Sequence, residues 1–231
     1  MKQILFDNQL FGFIISILFF VLYSKLFRNA KNPFLSPFLF SVASIIAILI
    51  IFKIPLEYYN RGGDIIKFFL GPTTVALSIN LYKKIELLKR HFLPIIVGIF
   101  VGATVAILSA YGIGKLFGLN KQILISMLPK STTTAIATEL SKTYAGIVPM
   151  TLFFVLIAGY TGYIFSEFIF KILKIGSNTA KGIAIGTASH SIGTTKAIEM
   201  GPEIAAMSTL SIALAGIVTG IVLPILFKFL F

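Results

Sequence analysis

Three short stretches gather the residues able to bind a solute: Gly71-Pro72-Thr73-Thr74, Pro129-Lys130-Ser131-Thr132-Thr133-Thr134 and Gly186-Thr187-Ala188-Ser189-His190-Ser191-Ile192-Gly193-Thr194. Each interrupts an apolar run. Gly and Pro break a helix, and a break exposes a half-helix N-terminus with free N–H groups and partial positive charge. Hydroxyls beside it add short donors, so the combination suits a small carboxylate. The competing reading is that Ser, Thr and Gly merely let helices pack closely.

Within these stretches the candidate substrate-binding residues are Thr73, Lys130, Ser131, Thr132, Thr133, Ser189, His190, Gly193 and Thr194. Gly71, Pro72, Pro129 and Gly186 are the expected breaks. Lys130 is a cation inside an apolar and hydroxyl stretch, where it would neutralise a substrate carboxylate or snorkel to an interface. His190 titrates near neutrality, which suits proton coupling or a hydrogen bond to substrate. Its structural alternative is a neutral ring bonded to a backbone carbonyl. Glu139 and Glu199 follow the second and third breaks and are candidates, with His190, for ion coupling. Helix-end pairing with Lys130 or Lys196 is the alternative. Glu167 precedes Lys171 at the i,i+4 spacing of a helical ion pair.

No enzyme motif accompanies these residues. The 231-residue chain has no HExxH, no GxSxG and no phosphate loop. It has no Cys, which removes thiolate chemistry. No catalytic residue, metal or cofactor is expected.

The elements that must carry these stretches are membrane helices. Mean hydropathy is +0.96, and only 12% of residues are charged. Soluble domains carry about 25%. At roughly 20 apolar residues per span, the length allows about seven or eight transmembrane segments. The expected segments are about 4–27, 34–52, 65–82, 92–117, a short piece at 123–128, 147–173, 180–197 and 204–231, with Pro55 and Gly62–Gly63 marking a connection. The net charge of +12 comes from clusters between apolar runs: Lys25/Arg28/Lys31, Lys83/Lys84/Lys89/Arg90 and Lys171/Lys174/Lys181. That is the positive-inside pattern, with the lipid bilayer rather than nucleic acid as the counter-charge. The last two clusters are separated by three segments. For both to face the cytoplasm one segment must fail to cross, and the piece around Pro129 is the candidate for re-entry. The N-terminus then lies outside and the C-terminus inside.

The first and third broken stretches share a layout, each preceding a closing span with a small-residue face (Gly98/Gly102 and Gly216/Gly220). The expected fold is therefore an all-α integral membrane protein, one transmembrane domain over 1–231. It would have two similar halves, about 1–119 and 120–231, with interrupted helices. Paired interrupted segments are the sequence pointer to a transporter site.

These motifs resemble the LrgB/CidB family of bacterial membrane proteins. The strongest points are the stretches Leu128 to Ala137 and Gly186 to Thr194, supported by Leu70 to Leu77. Ala135 departs from a frequent Pro, and Ser191 from a frequent Gly. The resemblance implies two functions. One is holin- or antiholin-like control of murein hydrolase activity and lysis, beside a smaller LrgA/CidA-type membrane partner. The other is transport, since related plastid proteins move glycolate and glycerate, and bacterial members are linked to pyruvate. Broken helices are more machinery than a simple pore needs. The expectation is a multi-pass secondary transporter of small monocarboxylates or hydroxycarboxylates in the bacterial cell membrane, forming a homo-oligomer such as a dimer.

Overall fold

The computed structural model describes residues 8–28, 35–69, 72, 75, 79, 82, 85–90 and 92–231. All regular elements among the described residues are helical. They form two compact units, 1–75 and 76–231.

The first unit holds α1 (Gln9–Leu26), α2 (Pro37–Ile51) and α3 (Leu56–Phe68). Asn8 caps α1, accepting from the Leu10 and Phe11 amides, and Ser36 caps α2 just ahead of Pro37. Sequence reading placed a connection at Gly62–Gly63, but α3 runs through both. The reason is a close approach. A Cβ at Gly12 would strike the Tyr59 carbonyl and come within 3.2 Å of the Gly62 Cα. The glycines thus let α1 and α3 touch, and Ser16 and Tyr59 share a hydrogen bond of 2.9 Å.

The second unit contains α4 (Ile85–Arg90), α5 (Phe92–Leu116), α6 (Lys121–Met127), α7 (Thr134–Thr143), α8 (Val148–Ile172), α9 (Asn178–Met200) and α10 (Pro202–Leu230). Three of these, α5, α8 and α10, are long and apolar enough to cross a membrane. The other helices do not simply add spans. α6 starts beside the chain terminus, where the Lys121 ammonium lies over the Phe231 ring. Met127 and Leu128 pack deeper, in a cluster with Val222 and Leu223. Ile136 and Thr132 reach Gly216, and the Tyr144 ring returns to Phe227 at 4.3 Å. α6 and α7 are therefore the arms of a hairpin that enters from the C-terminal end, turns at half depth and exits where it entered. The chain thus turns back near Pro129, where sequence reading expected a segment that fails to cross.

α9 is a second hairpin, and here the expected span at 180–197 is corrected. A straight helix of 23 residues is about 34 Å long. Yet the Asn178 side-chain amide donates to Glu203 at 2.9 Å, and a Cβ at Gly193 would lie 3.1 Å from Ile185. The chain reverses at His190, whose φ of 42° and ψ of −137° leave the helical region. An outgoing arm (178–189) and a return arm (191–200) result. The pattern of apolar positions could not separate a through-helix from a folded one, because both bury the same small-residue face.

The second unit thus reads as α5, hairpin α6–α7, α8, hairpin α9 and α10. Each hairpin is followed by a long helix with Pro in its first turn, Pro149 or Pro202. The two hairpin-plus-helix pieces, 121–172 and 178–230, enter from opposite ends and are inverted relative to each other. The repeat read from sequence paired the first and third breaks. The one visible among the described residues pairs the second and third.

The extra reversal also changes the topology. Lys89–Arg90 and Lys171/Lys174/Lys181 do fall at one end of the second unit, because only two of the intervening three segments cross. With α9 folded back, however, Phe231 lies at the opposite end. It does not share the end of Lys89–Arg90 and Lys171/Lys174/Lys181, where sequence reading expected it.

The natural absence of Cys makes this topology testable. Asn178→Cys combined with Glu203→Cys should be joined by a short bifunctional thiol reagent in intact membranes, seen as protection from a later maleimide tag. Two free thiols after treatment would restore the straight helix.

Candidate substrate site at two hairpin tips

The first tip is built by turn chemistry. Asn120 caps α6, accepting from the Ile123 amide at 2.9 Å. Beyond Met127 the chain tightens into successive turns, Lys130 N–H to the Met127 carbonyl and Thr132 N–H to the Pro129 carbonyl, both 3.2 Å. Pro129, buried, supplies no N–H of its own and helps end the arm. Thr133 then caps α7 through its hydroxyl, which accepts from the Ile136 amide. Ser131 and Thr132 are buried, and Thr132 Oγ1 is without a hydrogen-bond partner. Lys130 is half-buried, donates to Ser131 Oγ at 3.3 Å, and meets no carboxylate among the described residues.

The second tip rests against α8. His190 Nε2 lies 2.9 Å from the Val155 carbonyl. A carbonyl only accepts, so Nε2 carries the proton. His190 Nδ1 is buried and unpartnered, and in the neutral ring it is an acceptor. α8 admits the tip through glycines. A Cβ at Gly159 would lie 2.9 Å from the His190 ring, and one at Gly162 would collide with the Ser189 hydroxyl. Thr194 Oγ1 donates to the His190 carbonyl at 2.9 Å, so in its 2.7 Å contact with Ser208 the serine donates. This ties the return arm to α10. A non-glycine residue held in such backbone costs about 1–3 kcal/mol and persists only where its surroundings over-determine it.

Gly186 was expected as a break, but it lies within the outgoing arm. It is a contact glycine: a Cβ there would strike the Ser208 carbonyl and come within 2.8 Å of Ser211. The break falls at His190, because Thr194, Ser208, Val155 and the α8 glycines hold that residue. Pro72 is helical and exposed, whereas Gly71 and Thr73 lie outside the described residues.

Both hairpins pack on α10. On α10, Gly216 faces Thr132 while Ser208 bonds Thr194, about 12 Å apart along the helix. The fold brings Lys130, Ser131, Thr132 and Thr133 to one tip and Ser189, His190, Gly193 and Thr194 to the other.

The acidic candidates are elsewhere. Glu139 is exposed and pairs with Lys142 at 2.8 Å. Glu199 accepts from Tyr163 at 2.6 Å and pairs with Lys196 at 3.1 Å. Glu167, expected to pair with Lys171, pairs with Lys196 instead at 3.1 Å, because the return arm runs alongside α8. Among the described residues no group of His, Cys, Asp and Glu is arranged to hold a metal ion.

Sequence reading missed the backing residues: Val155, Gly159 and Gly162 on α8, and Ser208 and Ser211 on α10. Their signal was small residues at helical spacing within apolar helices, which by itself says only that something packs closely there. It also missed the pinned base of the first hairpin, where Thr151 donates to Ser141 at 2.7 Å and the Ile147 amide to Ser126 at 2.7 Å.

Long apolar helices, with half-depth hairpins between them, define a multi-pass α-helical membrane protein. Comparison with known proteins gives the family. The LrgB-like family model matches residues 16–229, and the chain belongs to that family. An uncharacterized protein, YxaC, from Bacillus subtilis (strain 168) is 38% identical over 193 residues, 84% of each chain. Proteins named antiholin-like protein LrgB from Bacillus mycoides (strain KBAB4) and Bacillus cereus (strain B4264) are 34% identical, over 95% of this chain and 96% of theirs. No solved structure matches the chain.

Proposed function

We propose that the protein is a secondary transporter of small monocarboxylates or hydroxycarboxylates, pyruvate- or glycolate-like, in the bacterial cell membrane. The observation that carries this reading is the pair of inverted hairpins, 121–143 and 178–200, each packed against α8 and α10. Inverted repeats and discontinuous helices that meet at mid-membrane are the machinery of alternating access. A substrate carboxylate takes Lys130, the hydroxyls of Ser131, Thr132 and Thr133, and the two half-helix N-termini. The unpartnered acceptor His190 Nδ1 suits a substrate hydroxyl. One cation and neutral donors hold a single negative charge loosely enough to release it. Thr73 is kept as a candidate from the first stretch, and Glu139, Glu199 and His190 as candidates for ion coupling. With the basic end cytoplasmic, the C-terminus faces outside.

A second reading has its own support in the antiholin-like names of the relatives: a holin- or antiholin-type pore or regulator acting with an LrgA/CidA-type partner. The two differ in liposomes. For purified protein with labelled glycolate or pyruvate outside, uptake is expected to saturate and to be inhibited by unlabelled analogue. Flux linear in solute, with leakage of unrelated dyes, would establish the pore and remove the transporter.

A further inference from the structure

At the basic end, the base of the α9 hairpin forms a pocket of about 490 Å³. Its floor is apolar, from Phe170, Ile175, Met200 and Ile204, and its rim carries Lys171, Lys174 and Lys181. These lysines come from different parts of the hairpin base. Lys171 ends α8, Lys174 sits in the turn after it with φ of 52°, and Lys181 lies in the first turns of α9. None of the three has a carboxylate partner among the described residues. The nearby acids are already engaged: Glu167, on the pocket wall, by Lys196 at 3.1 Å, and Glu203 by Asn178 at 2.9 Å. Asn178, the first residue of the outgoing arm, lines the same pocket.

We infer that this pocket binds the phosphate headgroup of an anionic membrane phospholipid, joining the end of α8 to the base of the hairpin. Three lysines on one rim, none with a carboxylate partner among the described residues, call for a multivalent or strongly charged oxyanion. The apolar floor calls for one attached to hydrocarbon. The pocket also lies at the ends of apolar spans, where headgroups of a bilayer sit. A bound headgroup bridges the end of α8, the turn after it and the first turns of α9.

The inference is independent of the transported solute and is tested by binding alone. Purified protein in neutral detergent is mixed with phosphatidylglycerol, phosphatidylcholine or soluble glycerol phosphate, then read by native mass spectrometry and thermal unfolding. Phosphatidylglycerol is expected to remain as an adduct and to raise Tm by about 4 °C or more over phosphatidylcholine. The Lys171→Gln/Lys174→Gln/Lys181→Gln variant should lose that difference, while the triple Lys→Arg variant keeps it. The single Lys181→Gln variant, expected to lose part of it, serves if the triple variant does not fold. Equal effects of the two lipids, an undiminished phosphatidylglycerol preference in the Gln variants, or full displacement of the lipid by equimolar glycerol phosphate would each overturn it.

Discussion

Lys130→Ala is expected to lower solute uptake at least about tenfold while leaving the amount of folded protein in the membrane unchanged, and His190→Ala to do the same. A hydrogen bond to a charged group contributes about 1.5–3 kcal/mol, which converts to roughly 10- to 150-fold in binding. The structural loss is much smaller for Lys130, whereas the buried His190 ring also leaves a cavity, so folded protein is quantified beside uptake. Lys130 gives up one long contact, to Ser131 at 3.3 Å. His190 gives up its bond to the Val155 carbonyl, worth about 1 kcal/mol or less in a membrane. Two companion variants separate chemistry from backbone strain. His190→Gly relaxes the positive φ and should be as inactive as His190→Ala if the ring itself is needed. Lys130→Arg keeps the charge and should retain part of the uptake. Full uptake by both alanine variants would mean that the hairpin tips are not the site.

The second large effect concerns movement. Joining the return arm of α9 to α8 should abolish uptake reversibly. The attachment point is the exposed end of the hairpin, where Lys196 pairs with Glu167. Glu167→Cys with Lys196→Cys, bridged by a short reagent that disulfide-links both thiols, fixes the hairpin against α8 without touching either tip. Uptake should fall to a few per cent of that of the unbridged protein and return on adding reductant. The ion pair is partly exposed and contributes roughly 0–1 kcal/mol, so the double variant itself should remain folded and active. Unchanged uptake in fully bridged protein would show that the α9 hairpin does not move against α8 during transport, and would sink alternating access between the two inverted pieces.

The apolar composition, sparse charge and regular breaks determine that this is a multi-pass helical membrane protein, because those properties act on each segment separately. α5, α8 and α10 match the long runs read at 92–117, 147–173 and 204–231 for that reason. The half-depth piece at Pro129 was also legible, since two basic clusters cannot share a side unless one segment fails to cross. Lys130 and the hydroxyls of 131–133 could be marked as a group because they are contiguous.

What only the tertiary structure decided is where the chain turns back and what meets at the turn. α9 carries no Pro, and its Gly, Ser and Thr serve equally well in a straight, closely packed helix. Its reversal at His190 is imposed by neighbours far away in sequence. The Val155 carbonyl holds the ring, Gly159 and Gly162 make room for the tip, and Ser208 holds Thr194. The same long-range contacts move the break from Gly186 to His190 and exchange Lys171 for Lys196 as the partner of Glu167. They also carry the C-terminus to the end of the second unit opposite Lys89–Arg90 and Lys171/Lys174/Lys181. Local propensity sets which segments are helical and apolar, but the position of a helix reversal in a packed bundle is a property of the surfaces around it, and those surfaces exist only once the chain has folded.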